Sequence, residues 1–85
     1  MYVVELAFTD DPRRLEARPR HRKHLESLHE AGVVRSAGPF TDDSGALLVF
    51  DVADEAELAA VMASDPYYRA PGVTVVRRRQ WNPLF

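Results

Sequence analysis

The stretch Ala17-Arg18-Pro19-Arg20-His21-Arg22-Lys23-His24-Leu25-Glu26-Ser27-Leu28 decides how the chain is organised. If this stretch is helical, Ala17, His21, Leu25 and Leu28 lie on one face, because residues three or four positions apart align on an α-helix. A titratable imidazole therefore stands in the middle of an apolar stripe. Such a position lowers stability unless the ring has a polar partner. The sequence thus predicts that His21 has a partner, a chemical role, or both.

The length of the chain indicates one small domain, covering residues 1–85. A domain of this size buries only about 60–65% of the surface that its unfolded chain exposes. There is no cysteine, which excludes disulfides and thiolate metal sites. Burial against a partner is then the expected source of extra stability.

The net charge of −2, from 11 basic and 13 acidic side chains, argues against general nucleic-acid binding. The basic residues nevertheless cluster around the first helix and at Arg77-Arg78-Arg79. These clusters fit either a solvated face or a cleft that attracts anions. No leader-like segment precedes the first strand, and no apolar run approaches the ~18 residues of a membrane span. We therefore expect a cytoplasmic protein with no membrane partner.

Four runs rich in β-branched and aromatic residues predict strands at 2–8, 33–38, 46–52 and 73–81. Turn residues occupy 39–45, and 65–68 is predicted to be a loop. The third strand is apolar on both faces, which indicates that both sides of the sheet are covered.

The first helix has two candidate beginnings. The segment 9–12 is acidic and ends in a proline, which is typical of a helix start. Pro19 disfavours helical geometry at Arg18. Either a short turn precedes a helix that begins at Pro19, or one helix is kinked there. In both cases the helix ends near Ala31, with Gly32 as its C-cap.

The second helix is predicted to follow a capping box, with Asp54 as N-cap and Glu57 three residues later, and to end near 63–64. The order is then β-α-β-β-α-β, an α+β fold with both helices on one face of an antiparallel sheet. Strands one and three also carry apolar side chains on the opposite face. A second copy packed sheet against sheet would cover them, so we expect a two-fold homodimer; a solvated second face is the alternative.

This topology brings three connections, 9–18, 39–45 and 64–72, to one edge of the sheet. His21 and Asp65 should therefore lie at the same end of the molecule. An aspartate bonded to one imidazole nitrogen fixes the tautomer and makes the other nitrogen more basic. The pair could serve as an acid/base catalyst, or it could simply hold the helix to the loop.

Other candidates surround this pair. His24 lies at the flank of the apolar face and is a rival base or ligand-binding residue, whereas His29 is predicted to be on the surface. Arg18 lies near the positive end of the helix and could hold an anionic ligand. Tyr67 could line a pocket or only pack. We expect neither a metal nor another cofactor, because no third metal ligand and no Gly-rich phosphate loop is evident.

Several segments together resemble the YciI-like (YCII-related) proteins, and the resemblance covers essentially the whole chain. The matching segments, in order, are Arg18-Pro19-Arg20-His21, Gly32 through Gly38-Pro39, Asp42-Asp43-Ser44-Gly45, Asp65-Pro66-Tyr67-Tyr68 and the closing Trp81.

The resemblance implies a ferredoxin-like fold that dimerises into an α/β barrel. It also implies a shared His and Asp, proposed as a catalytic pair, which correspond to His21 and Asp65. One class of members removes HCl from a chlorinated hydroxyquinol. The expected activity is therefore isomerisation or elimination on a small carbonyl-containing or phenolic anion. A non-catalytic binding or accessory module is the alternative.

Overall fold

The computed structural model describes all 85 residues. Its elements follow the order β-α-β-β-α-β, as the sequence predicted. They are β1 (Tyr2–Phe8), α1 (Arg13–Glu30), β2 (Val34–Pro39), β3 (Gly45–Phe50), α2 (Glu55–Ala63) and β4 (Val73–Gln80). The strands form one antiparallel sheet in the order β2-β3-β1-β4. The predicted ferredoxin-like α+β fold is confirmed.

The helix α1 is a single helix that contains Pro19, so the alternative of a start at Pro19 is wrong. The earlier start is stabilised by Asp11, whose Oδ1 accepts a hydrogen bond of 3.0 Å from the backbone N–H of Arg13. Proline within a helix removes one backbone hydrogen bond. The six residues before Pro19 nevertheless remain helical, and they carry Arg14 and Arg18 into the site described below.

The end of α1 is a Schellman motif. Ala31 is the C-cap, and Gly32 follows it in the left-handed region at φ +80°. Gly32 N donates to the His29 carbonyl at 3.0 Å, and Val33 N donates to the Leu28 carbonyl at 2.9 Å. Because the Val33 N–H is used there, β2 begins one residue later than the sequence predicted.

Other boundaries differ by one or two residues. The strand β3 ends at Phe50, because its antiparallel neighbour β1 begins directly opposite, at Tyr2. The predicted N-cap is present, since Asp54 Oδ1 accepts the N–H of Glu57 at 2.8 Å. The capping box differs in its second bond, because Glu57 Oε2 accepts the N–H of Ala53, at 3.1 Å, and not that of Asp54. The predicted loop at 65–68 contains a 3₁₀ turn, Pro66–Arg69, that begins after Asp65.

The core lies between the helices and one face of the sheet. Alternate residues of β1 and β3 supply its centre, and side chains from α2 and the 3₁₀ turn close it. The buried apolar residues are Tyr2, Val4, Leu6, Val34, Ala46, Leu48, Phe50, Val52, Leu58, Met62, Tyr67 and Tyr68. No helix is both long enough and apolar enough to span a bilayer. The cytoplasmic location stays a prediction.

The turn between β2 and β3 is fixed by backbone geometry at two positions. A Cβ atom at Gly45 would collide with the carbonyl oxygen of Leu6, so only glycine fits where β3 begins. Asp43 has φ +58° and is the one non-glycine residue with a positive φ. Aspartate tolerates this region better than most residues. The turn thereby brings the Asp43 carboxylate close to the beginning of α1.

Candidate functional site

A cavity of about 600 Å³ lies between α1 and the strands β2 and β3. Apolar side chains of the two strands form one wall, and one face of α1 forms the other. That helical face presents Arg14, Arg18, His21 and Leu25, which follow one another at helical spacing. The rings of Phe8 and Tyr67 also line the cavity. Its size and mixed lining are typical of sites for small molecules.

His21 and Asp65 meet, as the topology predicted, and His21 lies midway along the helical wall of the cavity, which runs from Arg14 to His29. His21 Nδ1 and Asp65 Oδ2 are 2.5 Å apart, and both side chains are more than nine-tenths buried. A carboxylate only accepts hydrogen bonds, so Nδ1 carries the proton and donates it. The ring lines the cavity, whereas Asp65 does not. Nε2 is therefore the ring nitrogen left for a ligand.

The orientation of both side chains is fixed by their surroundings. The second oxygen of Asp65, Oδ1, accepts the backbone N–H of Tyr67 at 3.0 Å, which makes Asp65 the N-cap of the 3₁₀ turn. Tyr67 stacks on the imidazole, with ring centroids 4.0 Å apart and planes within 10°. Tyr68 meets the edge of the same imidazole at 5.5 Å. The His21 ring is thus held by one hydrogen bond and two aromatic contacts.

Burial shifts the pKa values of His21 and Tyr68 in opposite directions. It lowers the pKa of His21 below the ordinary value of 6.5, while the hydrogen bond and charge of Asp65 oppose that shift. The imidazole is therefore neutral at pH 7 and can accept a proton at Nε2. Burial, followed by the charge of Asp65, raises the pKa of Tyr68 well above 10.0, so its hydroxyl stays protonated.

Arg14 lies two helical turns before His21, where the helical wall of the cavity begins, and its side chain is only 10% exposed. Its Nη2 donates to Asp43 Oδ2 at 3.0 Å, and its Cζ lies 4.3 Å above the ring of Phe8. Its Nη1 is buried and has no hydrogen-bond partner. Phe8 also contacts Tyr67 edge to face at 6.4 Å, so the surroundings of Arg14 and of His21 are joined through aromatic rings.

The cavity carries excess positive charge. Four arginines line it, against two carboxylates, leaving an excess of two positive charges; these residues are Arg14, Arg18, Arg22, Arg35, Glu26 and Asp43. Arg18, the predicted anion-binding residue, is half-buried on the cavity wall and makes no hydrogen bond or ion pair with the protein. Such a wall attracts small anions.

The other two histidines lie away from His21. His24 does not line the cavity; its Nε2 lies 3.2 Å from Ser64 Oγ at the end of α2. The Ser64 hydroxyl donates its own proton to the Val61 carbonyl at 2.6 Å, so Nε2 of His24 is the donor and Ser64 Oγ the acceptor in the bond between them. His29 is exposed, as expected, but its Nδ1 donates to the Val34 carbonyl at 2.9 Å and its ring lines the outer part of the cavity.

Among the predicted site residues, the structure brings His21, Arg18 and Tyr67 to one cavity, with Asp65 behind the imidazole, and leaves His24 outside. No group of three histidine, aspartate or glutamate side chains converges as a metal site would require. Arg14 was not among the site residues predicted from the sequence. Arg14 lies four residues before Arg18 and seven before His21, and this spacing places all three on one helical face.

Comparison with known proteins gives a family and a fold. No curated protein matches the chain in sequence. Among solved structures, 5-chloro-2-hydroxyhydroquinone dehydrochlorinase from Burkholderia phenoliruptrix AC1100, in complex with 2,5-dihydroxybenzoquinone, superposes with a TM-score of 0.62. The alignment covers 96% of this chain and 94% of the dehydrochlorinase at 16% identity, a likeness of fold. The sequence profile of the YCII-related domain matches residues 1–82, so the chain belongs to the YCII-related domain family.

Proposed function

We propose that this protein is a small-molecule enzyme in which His21 transfers a proton at Nε2 and Asp65 positions the imidazole. The observation that supports this most strongly is the buried contact of 2.5 Å between His21 Nδ1 and Asp65 Oδ2, with the opposite nitrogen of the ring left for the cavity. The reaction is isomerisation or elimination on a small carbonyl-containing or phenolic anion. Arg18 attracts the anion, and Tyr67 forms part of the pocket wall.

The proton transfer follows from the tautomer. The neutral ring takes a proton from the substrate at Nε2, and the electron pair left behind forms a new double bond. Asp65 stabilises the imidazolium that results. In an isomerisation, His21 returns the proton to a different atom of the substrate. In an elimination, a leaving group departs with the electrons of its bond, and His21 later releases the proton to water.

The dehydrochlorinase of similar fold supports elimination as one candidate reaction. That protein is named for acting on a chlorinated hydroxyhydroquinone, and its bound ligand is a planar dihydroxybenzoquinone. A ligand of this kind suits a cavity lined by Phe8, Tyr67 and several arginines. We therefore propose ring phenols and related enols as the first substrates to assay.

The alternative is a non-catalytic binding or accessory module. The observation that favours it is the double use of Asp65, which joins α1 through His21 and caps the 3₁₀ turn through the N–H of Tyr67. Under this alternative, replacing His21 lowers stability but changes no reaction.

The test is the substitution His21→Asn, which retains a side-chain donor toward Asp65 but has no basic nitrogen. Exchange of substrate hydrogen into D₂O is followed by NMR for a panel of phenols and enols, and chloride release is measured with 5-chloro-2-hydroxyhydroquinone. We expect His21→Asn to lower the rate on the responsive compound by about 10²-fold or more. His24→Asn is the matched control, because His24 lies outside the cavity. Turnover of that compound by His21→Asn at the wild-type rate contradicts the proposal.

We further propose that the protein is a homodimer formed through the face of the sheet opposite the helices. Apolar side chains on this face have no cover within one copy: Leu47 is 38% exposed, and Val3 and Val49 beside it are half-buried. Val3 and Val49 are paired across β1 and β3, so their side chains share that face. Exposed apolar patches of this kind mark protein interfaces.

Leu47→Asp should convert the dimer to a monomer, because it places a charge in the apolar contact. The mass in solution is measured by light scattering. Leu15→Asp is the matched control, since Leu15 is an exposed leucine on α1, away from that face. A wild-type protein that is monomeric, or a Leu47→Asp variant that stays dimeric, is evidence against this interface.

A further inference from the structure

Arg14 is the one side chain whose buried polar atom the protein leaves without a partner. Its Nη1 makes no hydrogen bond, although the side chain is nine-tenths buried. An unsatisfied buried donor is destabilising, more so on a charged group, and such atoms are uncommon in folded proteins. A donor of this kind on the wall of an open cavity points to a missing ligand.

Arg14 is also held in place for binding. Asp43 accepts a hydrogen bond from Nη2, and the ring of Phe8 lies beneath the guanidinium with its centroid 4.3 Å from Cζ. These two contacts fix the plane of the guanidinium and leave Nη1 without a hydrogen-bond partner. A guanidinium that is fixed in advance binds carboxylates with less loss of side-chain entropy.

The charges around Arg14 favour the binding of a ligand that carries one negative charge. Arg18 follows one helical turn later, lines the same cavity and has no carboxylate partner. Two neighbouring guanidinium groups repel one another, and Asp43 neutralises only one of them. A ligand with a single negative charge would balance this pair. A doubly charged phosphate would also face the carboxylates of Asp43 and Glu26, which line the same cavity.

We propose that Arg14 Nη1, assisted by Arg18, binds a carboxylate group of the substrate, two helical turns from His21 along the cavity wall. The inference rests on the proposed function, because it assigns the group that orients the substrate for proton transfer at Nε2. Arg14 and His21 are seven residues apart, about 10 Å along the helix axis. The substrate class is then a carboxylate on a single ring or a short chain, with its acidic hydrogen at the other end.

The test uses benzoate as the probe and neutral benzamide of the same shape as its comparator, with binding measured by isothermal titration calorimetry. We expect the wild-type protein to bind benzoate at least tenfold more tightly than benzamide. Arg14→Gln should weaken benzoate binding at least tenfold. Lys23→Gln removes one positive charge from the exposed side of the same helix and should change binding less than twofold. Circular dichroism verifies that each variant is folded.

Asp43→Asn separates ligand binding from a purely structural role of Arg14. If Arg14 binds the carboxylate, Asp43→Asn retains or strengthens benzoate binding, because a competing carboxylate is gone. If Arg14 only anchors the turn, Asp43→Asn weakens binding as much as Arg14→Gln, which overturns the proposal. Should Arg14→Gln fail to fold, Arg14→Lys, which keeps the charge but loses Nη1, takes its place, and at least a fivefold loss is expected.

Three further results overturn the inference: no binding of benzoate by the wild-type protein, equal binding by wild type and the Arg14 variant, or tighter binding of inorganic phosphate than of benzoate. Failure of the proposed function has a different signature. In that case His21→Asn exchanges substrate hydrogen for deuterium at the wild-type rate, whereas benzoate binding still depends on Arg14.

Discussion

The two ends of the α1 segment from Arg14 to His21 are built from the same parts but are completed to different degrees. At each end a basic side chain of α1 contacts an aspartate from a loop and an aromatic ring. His21 has Asp65 and Tyr67, and Arg14 has Asp43 and Phe8. At the His21 end both oxygens of the aspartate are used within the protein. At the Arg14 end one guanidinium nitrogen has no partner.

The two aspartates, Asp65 and Asp43, also differ in how far their side chains are buried. The Asp65 side chain is 4% exposed, whereas the Asp43 side chain is 52% exposed. A buried, fully bonded carboxylate fixes the geometry of its partner, and an exposed one can be displaced or solvated. The comparison indicates that the His21 end is built for a fixed orientation and the Arg14 end for exchange of partners.

The largest expected difference between the ends is in stability. Asp65→Ala should lower the free energy of unfolding by about 2–4 kcal/mol, because it removes the buried hydrogen bond between the carboxylate and the neutral imidazole and also the cap of the 3₁₀ turn. Asp43→Asn should lower the free energy of unfolding by less, about 1 kcal/mol, because the Asp43 side chain is half-exposed and asparagine keeps an acceptor oxygen for the guanidinium of Arg14. Asparagine is chosen at Asp43 because it tolerates the positive φ of +58° there.

Urea denaturation of the wild-type protein and the two variants measures both effects. Asp65→Asn serves as an additional control, since it keeps the side-chain volume and one acceptor oxygen. Its loss of unfolding free energy should lie between the losses of Asp65→Ala and Asp43→Asn. Equal losses for Asp65→Ala and Asp43→Asn would show that the two ends do not differ in the way described.

The His21 end was predictable from the sequence, and the Arg14 end was not. The pairing of His21 with Asp65 follows from topology, because the connections that carry them meet at one edge of the sheet. The strands and helices follow from hydrophobic periodicity and capping residues, such as Asp54 before α2. These signals are local, so they can be read without coordinates.

The role of Arg14 depends on packing that sequence patterns do not encode. Its side chain lies over Phe8, and its aspartate comes from a turn whose path is fixed by the close contact of Gly45 with the backbone of β1. The start of α1 at Arg13 was one of two possibilities left by Pro19, and only this start places Arg14 on the helix. His24 is the opposite case, because helical spacing predicts it at the flank of the site, whereas its ring bonds to Ser64 and does not line the cavity.

The smaller expected difference between the ends is in the response to acid. The pKa of His21 is lowered by burial from its ordinary value of 6.5, so below that pH the unfolded chain binds a proton more readily than the folded one. Stability should therefore fall as the pH is lowered from 6.5, with a slope of up to about 1.4 kcal/mol per pH unit for one proton. The guanidinium of an arginine does not titrate in this range, so the other end adds no such slope.

Urea denaturation of the wild-type protein and His21→Asn between about pH 5 and 7.5 isolates this contribution, because the two proteins differ only at position 21. We expect the stability of His21→Asn to decline less steeply with falling pH than that of the wild-type protein. The stability of Arg14→Gln should decline as steeply as that of the wild-type protein. If the wild-type protein instead gains stability relative to His21→Asn as the pH falls, the charge of Asp65 outweighs burial. His21 would then be protonated in the resting protein and would begin the reaction as an acid.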